Sequence, residues 1–332
     1  MNETMTDMDT ERQTMLADMA AGVFAGIGWQ AEFDRDWPRM AELGFSGLLL
    51  SEDEGGFGGS WSDLLVVARL AGEHALALPV LESAVASRLV AGLEFEGVGT
   101  LAPSSDGELS GDTWSGTLSA VPWGRHAGFV IAGEEGGAVA IDTSDAQITE
   151  RTGLSGEPRD TLALQNARAV RVDGDPLALG AAIRAMQIAG ALGKALAISA
   201  NYVSERQQFG RPLAKFQAVQ QSLAQMAMES AAADCAAFEL ARSLDRDDAS
   251  FETAAAKTRA GMAASTGAAL AHQVHGAIGF TREYALHHLT RRMLAWRSEF
   301  GGEAYWSERL GRTIVSAGAD RLWPDLVART DP

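Results

Sequence analysis

The 332-residue chain carries a formal net charge of −17 at pH 7, which argues against general nucleic-acid binding because that function needs a basic surface to displace counterions. Its hydrophobic content of 46% is ordinary, and no stretch approaches the roughly eighteen continuous apolar residues of a membrane span. The acidic, polar start lacks the basic and apolar segments of a signal peptide, so the sequence predicts a cytoplasmic protein with two or three packed units.

Residues 1–97 are predicted to form an N-terminal helical domain. The segment DWPRMAELG at 36–44 is typical of a short helix ended by glycine. A glycine-rich stretch at 52–60 precedes a second helix, which Ser60 or Ser62 is placed to cap. Because this stretch carries three carboxylates and lacks the strand–glycine fingerprint of nucleotide-binding folds, it indicates turns rather than a phosphate-binding loop.

Residues 98–174 are predicted to form a small antiparallel β domain. Glycine, serine and threonine become more frequent in this region, and turn residues separate short β-prone runs. These runs lie at 113–118, 128–132, 138–142 and 162–172.

Residues 175–332 are predicted to form a helical bundle. Alanine dominates, apolar residues follow a helical period, and breaks near 209–212, 246–250 and 278–282 separate four long up-and-down helices. The single cysteine, Cys235, cannot form an internal disulfide, and we expect it to be a small buried hydrophobic residue rather than a nucleophile. The three parts together predict an α+β fold.

The first candidate site is the sequence ERQQFG at 205–210, at the break between two helices. Arg206 is suited to donate a bidentate pair of hydrogen bonds to a pyrophosphate. A surface arginine that complements the helix dipole is an equal alternative. Phe209 is suited to stack on a planar base, with core packing as its alternative, and Gly210 lets the chain turn.

The second candidate site is the sequence QVHGAIGFTREY at 273–284, a second helix end. Its small residues Gly276 and Ala277 would let a cofactor approach the backbone, and His275 is interpreted as a polar helix-end residue. The adjacent His287 and His288 point about 100° apart on a helix, so we expect no metal site there.

These two elements, in this order and separation, resemble the C-terminal helical domain of the acyl-CoA dehydrogenase flavoprotein family. The order of helices, β domain and helical bundle is also that of the family. The resemblance implies FAD as cofactor, shared between two subunits. The residues that it assigns to the adenosine half are Arg206, Gln208, Phe209, Gly210, Gln273, Gly276 and Ala277. Ala277 stands where the family usually has a second glycine.

The resemblance also implies the α,β-desaturation of an acyl-CoA thioester, in which a carboxylate removes the α-proton while the flavin accepts a hydride from the β-carbon. The family carries this base in one of two places, which correspond here to Gly180 with Ala181 and to Phe300. Neither place holds an acid. Glu299, one residue from the second place, remains the candidate base, and a solvated loop glutamate is its alternative.

A second departure concerns the ring of the flavin. The family's middle domain supplies a loop rich in threonine, glutamate, proline and glycine that covers the flavin, and a tryptophan that packs on it. This chain has LAPSSDGE at 101–108 and Gly128 at the tryptophan position, while Trp114 and Trp123 lie out of register. The resemblance therefore implies that the surface that binds the flavin ring is reduced, while the surface that binds the adenosine half of FAD is intact.

Both departures would be explained if this chain is a partner subunit in a hetero-oligomer with two copies of each chain, and this is our hypothesis. The second chain would be another acyl-CoA dehydrogenase subunit, and electron-transfer flavoprotein would be the electron acceptor. Bacterial enzymes for steroid side chains or dicarboxylic acyl-CoAs are the resembling cases. Three alternatives stay open: a self-sufficient homodimer that uses Glu299, a flavin oxidase or monooxygenase, and a scaffold without catalysis. Nothing in the sequence indicates which acyl group the substrate carries.

Overall fold

The computed structural model describes residues 2–246 and 248–330, and the chain begins with α-helices joined by turns and loops. These are α1 (Asn2–Ile27), α2 (Phe33–Glu42), α3 (Trp61–Glu73) and α4 (Val80–Leu89). Of the two predicted caps of α3, Ser60 is the one used. Its hydroxyl accepts from the Asp63 N–H, while the Asp63 carboxylate accepts from the Ser60 N–H, an arrangement that satisfies the free donors of the helix start.

A seven-stranded sheet follows the helices. Its strands are β1 (Val98–Leu101), β2 (Ser104–Ser110), β3 (Thr113–Pro122), β4 (Ala127–Glu134), β5 (Gly137–Asp142), β6 (Gln147–Thr149) and β7 (Arg159–Val172). The strand order is β1-β4-β5-β7-β3-β2, with β6 paired to β7. The sheet is antiparallel, as predicted, except that β1 and β4 run parallel.

The two faces of the sheet belong to different hydrophobic cores, because side chains alternate along each strand. In β4, Val130 packs into a core that the sheet encloses itself, together with Trp114 and Leu162. The neighbouring Phe129 and Ile131 point the other way, into the core of the helices. The sheet is thereby held against the helical part of the protein.

The C-terminal part is a helical bundle. Its elements are α5 (Pro176–Glu205), the hairpin strands β8 (Gln207–Gln208) and β9 (Arg211–Pro212), α6 (Gln217–Leu244), α7 (Ser250–His275), α8 (Leu286–Ser298), α9 (Glu303–Ala317) and α10 (Ala319–Thr330). The breaks fall where the sequence predicts them, and a further break at 299–302 separates α8 from α9. By length and composition α5 is apolar enough to cross a membrane, but 72% of its apolar window is buried inside the protein, so it serves as a core helix.

The predicted α+β architecture is confirmed. The helices before and after the sheet share one hydrophobic core, to which Phe24 and Leu64 contribute from one side and Ile183 and Trp296 from the other. Because this core is continuous, the division into domains after residues 97 and 174 stays a prediction.

The expectation that Cys235 is buried is wrong, because the side chain is exposed. The inward face of α6 passes through Ala233 and Ala237. Cys235 lies midway between them in the sequence, so the helix turns it toward solvent.

Candidate functional site

The two candidate sequence segments line one cavity of about 590 Å³ at the ends of α5 and α7. We call it the helix-end cavity. Its lining residues are Tyr202, Arg206, Gln208, Leu213, Ala218, Val219, Ser222, Gln273, Val274, His275, Gly276, Ala277 and Ile278. Five of the seven residues assigned to the adenosine half thus meet at one place. Their contact with a cofactor stays a prediction.

Arg206 gives this cavity a positive charge. The residue ends α5, where its N–H still donates to the Tyr202 carbonyl while its backbone leaves the helix at φ −70° and ψ 122°. Among the lining residues, all within the described part of the chain, Arg206 is the only one with a formal charge at neutral pH, since burial lowers the pKa of His275. An isolated guanidinium in a protein of net charge −17 is suited to bind an anion.

An aromatic pair forms one wall of the helix-end cavity. The Tyr202 ring stacks on the His275 ring with centroids 4.6 Å apart. His275 Nδ1 lies 2.7 Å from the Ala271 carbonyl oxygen and Nε2 lies 3.1 Å from the Tyr284 hydroxyl, so we assign the ring proton to Nδ1, which donates to the carbonyl. Tyr202 is not among the residues predicted from the sequence, although it lies about one helical turn before Arg206, the residue that ends α5.

Gly276 shapes the floor of the cavity through its backbone. It ends α7 at φ +63° and ψ −141°, a region that side-chain-bearing residues rarely adopt. A Cβ added there would meet nothing within 4 Å, so the backbone angle, not the lack of space, requires glycine. The bare backbone leaves the cavity open to a ligand beside Ala277.

Phe209 and Gly210 lie outside the lining, at the tip of the β8–β9 hairpin. Both have positive φ, +52° and +77°, as a two-residue type I′ turn requires. Phe209 is 91% exposed, which excludes core packing for its ring. Its one ring neighbour in the described chain is Phe216, in an edge contact at 6.2 Å.

A second cavity of about 440 Å³ lies between the sheet and α8. We call it the sheet-side cavity. Its lining residues are Pro103, Ser104, Ser119, Ala120, Pro122, Gly153, Leu154, Arg159, Leu294, Ala295, Ser298, Glu299, Phe300 and Gly301. It therefore contains the candidate base and the residue at the family's base position.

Glu299 is held by two arginines. Its Oε1 accepts from Arg159 Nε at 2.8 Å, and its Oε2 accepts from Arg159 at 3.1 Å and from Arg184 Nε at 2.8 Å. Burial alone would raise the pKa of Glu299, but the two positive charges and their hydrogen bonds outweigh burial and lower the pKa to about 2. The carboxylate is therefore ionised, and both of its oxygens accept hydrogen bonds from arginines.

The ion pairs of Glu299 belong to a longer buried chain of charges. Arg184 also pairs with Glu82 at 2.6 Å, and Arg159 with Glu157 at 3.0 Å, while Glu157 in turn pairs with Arg292. The order along the chain is Glu82, Arg184, Glu299, Arg159, Glu157 and Arg292. Three carboxylates balance three guanidiniums, and the groups connect α4, α5, α8 and β7. Removal of one member leaves an unbalanced buried charge.

Phe300 fills the family's base position with an apolar ring. The residue has φ +54° and is 1% exposed, and its ring packs so closely on Gly180 that a Cβ there would lie 2.2 Å from it. The two places where the family carries a base thus contact each other, and neither supplies a carboxylate.

The loop at 299–302 is fixed from the other side as well. Trp306 Nε1 donates to the Phe300 carbonyl at 2.9 Å. The buried Lys257 ammonium donates to the carbonyls of Arg297 and Gly301, both at 2.7 Å, and burial lowers the pKa of Lys257 to about 8. The backbone on both sides of Glu299 is therefore fixed by hydrogen bonds, in addition to the ion pairs of the Glu299 side chain.

A tryptophan at the position of Gly128 has no room. Even a Cβ there would lie 2.2 Å from the Glu96 carbonyl oxygen. Trp114 is buried in the sheet's own core, and Trp123 packs near Phe33 and His126. Neither lines the sheet-side cavity.

Residues 170–314 match the family of acyl-CoA dehydrogenase C-terminal domains. Among curated proteins, the chain is 31% identical to acyl-CoA dehydrogenase FadE34 of Mycobacterium tuberculosis, over 96% of this chain and 46% of that one. It is 27% identical to acyl-CoA dehydrogenase IpdE2 of the same organism, over 80% of this chain and 83% of that one. The chain thus spans about half the length of FadE34 and most of IpdE2.

Solved structures share the fold. A variant of the Tcur3481-Tcur3483 steroid ACAD superposes with a TM-score of 0.85 at 24% identity, over 94% of this chain and 99% of that one. A chain of the ChsE4-ChsE5 complex from Mycobacterium tuberculosis superposes with a TM-score of 0.79 at 21% identity, over 90% and 96%. Fold and matched domain define an acyl-CoA dehydrogenase architecture. The C-terminal domain that the two sequence segments predict is confirmed for residues 170–314, and the chain is similar to acyl-CoA dehydrogenases along most of its length.

Proposed function

We propose that this chain is a subunit of an FAD-dependent acyl-CoA dehydrogenase and holds the adenosine half of a flavin whose reactive ring lies on a second, base-carrying chain. The substrate is an acyl-CoA thioester of lipid or steroid catabolism, the electron acceptor is an electron-transfer flavoprotein, and the enzyme acts in the cytoplasm.

The state of Glu299 is the main support for this proposal. A general base works best when its pKa lies near the operating pH and when an oxygen is free to receive the proton. Glu299 has a pKa of about 2, and both of its oxygens accept hydrogen bonds from arginines. With Phe300 at the neighbouring position, the chain lacks a group suited to remove an α-proton there.

The helix-end cavity fits the nucleotide part of FAD. Arg206 would bind the pyrophosphate, and Gln208 and Gln273 offer hydrogen-bonding amides for the ribose and the adenine. The open backbone at Gly276 would let the nucleotide approach closely. When bound, FAD supplies the hydride acceptor of the reaction. The hairpin tip with the exposed Phe209 would contact the part of the cofactor that lies outside this chain.

Three related proteins support the presence of a second chain. Two structures with this fold are the ChsE4-ChsE5 complex and the Tcur3481-Tcur3483 steroid ACAD, and FadE34 is about twice as long as the part that this chain matches. We infer by analogy that this chain works beside a partner of the same family.

A homodimer that uses Glu299 as its base is the second candidate, because one observation favours it. Glu299 lines the sheet-side cavity, and 17% of its side chain is exposed. In that case Glu299 would have to leave at least one arginine when substrate binds.

The flavin content of the purified protein tests the proposal. The chain is expressed alone and together with a base-carrying acyl-CoA dehydrogenase chain from the same source, and visible absorbance is measured per chain. We expect little flavin on the chain alone and one flavin for each pair of chains in the complex. Stoichiometric flavin and turnover of an acyl-CoA by the chain alone would contradict the proposal.

A further inference from the structure

The stretch of chain that lines the helix-end cavity at the end of α7 has little packing of its own. Of the lining residues 273–278, Val274 and His275 are buried and the other four are exposed. The Gly276 N–H still donates to the His272 carbonyl, but the backbone then leaves the helix at φ +63°, and a Cβ on Gly276 would meet nothing within 4 Å. The exposed backbone is thus held in place through the two buried side chains.

His275 connects this stretch to three elements. Its Nδ1 donates to the Ala271 carbonyl of α7 at 2.7 Å, and its ring stacks on the Tyr202 ring of α5 with centroids 4.6 Å apart. Its Nε2 lies 3.1 Å from the hydroxyl of Tyr284, which comes two residues before α8. Because Nδ1 carries the proton, Nε2 accepts the hydrogen bond that the Tyr284 hydroxyl donates. A residue outside the cavity thereby fixes a residue of its wall.

Tyr284 reaches His275 because a turn folds the chain back onto α7. Gly276–Phe280 form this 3₁₀ turn, and Gly279 within it lies so close that an added Cβ would be 3.1 Å from the Cβ of His275. The Tyr284 carbonyl oxygen lies 2.8 Å from His287 Nδ1, so the first turn of α8 fixes Tyr284 itself. Tyr284 is not among the residues that line the cavity, and it therefore acts on a ligand there through His275.

The contact between Tyr284 and His275 is neutral. Burial, with smaller contributions from Tyr202 and Glu205, raises the pKa of the Tyr284 hydroxyl, which therefore keeps its proton. Burial also lowers the pKa of His275, so the imidazole carries no charge at neutral pH. The pair thus fixes the cavity wall without adding a charge to it, and Arg206 remains the group that meets an anion.

We propose that Tyr284 is a positioning residue for the nucleotide: through His275 it holds the end of α7 in the arrangement that binds the adenosine half of FAD. The inference rests on the proposed function, because it gives Tyr284 a task at the same cavity. Without the hydroxyl, Nε2 loses its buried donor and the exposed residues 276–278 are free to take other arrangements. Ordering them would then weaken binding, since a site that is ordered before the ligand arrives does not have to be ordered by it.

Tyr284→Phe removes the hydroxyl and keeps the ring. In the assembled enzyme we expect it to weaken FAD binding about fivefold, because one neutral hydrogen bond is lost. Turnover at saturating FAD should stay within about twofold, because the adenosine half does not touch the reacting atoms. Fluorescence titration of the flavin-free enzyme measures the affinity. The matched control is Tyr305→Phe, at a 44% exposed tyrosine on α9, which should leave the affinity unaltered. An equal affinity in Tyr284→Phe would overturn the proposal.

A double variant shows whether Tyr284 acts through His275. His275→Leu should weaken FAD binding at least as much as Tyr284→Phe does. Adding Tyr284→Phe to His275→Leu should change the affinity no further, because the partner of the hydroxyl is already gone. Losses that multiply in the double variant would mean that Tyr284 acts by another route, which would overturn the proposal.

Hydrogen–deuterium exchange of the flavin-free enzyme gives a readout that does not depend on the cofactor. In Tyr284→Phe the amides of 276–280 should exchange faster, while those of the sheet should be unchanged. Unchanged exchange in the turn would overturn the proposal, and so would faster exchange along the whole chain, which indicates a general loss of stability. Failure of the proposed function looks different, because Arg206→Gln would then leave FAD binding unaltered.

Discussion

The helix-end cavity and the sheet-side cavity differ in how their charges are used. In the first, Arg206 is the one charged lining residue of the described chain and is available for a ligand. In the second, Arg159 and Glu299 neutralise each other at 2.8 Å and extend into a balanced buried chain. A charged residue in a cavity therefore indicates a binding or catalytic role only when its own protein leaves the charge uncompensated.

Replacement of Glu299 should give the largest change in stability. In Glu299→Gln, Arg159 and Arg184 lose a shared buried counter-charge, and we expect the free energy of unfolding to fall by about 3–5 kcal/mol. Urea unfolding measures the change. The matched control is Glu150→Gln, which removes a carboxylate that is 70% exposed and should cost less than about 1 kcal/mol.

A double variant sharpens this prediction. Glu299→Gln together with Arg159→Gln leaves Arg184 with Glu82, and Glu157 with Arg292, so the remaining charges are still paired. The double variant should therefore be more stable than the sum of the two single changes predicts. Strict additivity would show that the ion pair contributes little.

The contribution of Glu299 should also depend on pH. Because its folded-state pKa of about 2 lies below the ordinary 4.5, the unfolded chain binds the proton more readily, and the stabilisation is complete above about pH 5. As the pH falls from about 4.5 toward 2, the difference in unfolding free energy between the unaltered protein and Glu299→Gln should shrink. A difference that grows on acidification would contradict the ion-pair assignment.

Arg206→Gln should weaken FAD binding in the assembled enzyme by about tenfold to hundredfold, because a hydrogen bond to a charged group contributes about 1.5–3 kcal/mol. Fluorescence titration of the flavin-free protein measures the affinity. Stability should stay within about 0.5 kcal/mol, as for other surface changes. Arg312→Gln, at an 80% exposed side chain, is the control and should leave the affinity unaltered.

Gly180→Ala tests how tightly the Phe300 ring packs at the position where the family carries its base. The new methyl group would lie 2.2 Å from the Phe300 ring, so we expect a loss of about 1–3 kcal/mol despite the better helix propensity of alanine. Gly193→Ala, on the same helix with its nearest neighbour at 3.8 Å, should instead gain up to about 1 kcal/mol. Equal changes in the free energy of unfolding in the two variants would mean that the Phe300 ring moves aside at little cost.

The sequence predicts the order of helices, sheet and bundle and the two segments that line the helix-end cavity, because these features depend on local patterns, whereas the binding of a cofactor there stays a prediction. Helical periodicity predicts α5 to α7, and the segments at 205–210 and 273–284 carry the family resemblance. Tyr202 was missed because its role arises only when α5 and α7 meet.

The sheet-side cavity was predictable only in part. The absence of an acid at 180 and 300 is visible in the sequence, but the partners of Glu299 are not. They lie 115 and 140 residues away in the chain, and their meeting depends on how the sheet packs on the bundle. Arg184, in the apolar run AAIRAMQIAG, was the available signal, since a buried arginine needs a carboxylate partner.

Turnover of an acyl-CoA by the flavin-loaded enzyme, with and without Glu299→Gln in this chain, decides whether Glu299 is a counter-charge or a catalytic base. If Glu299 serves only as a counter-charge, the folded variant with unchanged flavin content should keep kcat/KM within a few-fold of the unaltered enzyme. A loss of the roughly hundredfold or more expected for a missing general base, at full flavin content, would show instead that Glu299 acts as the base.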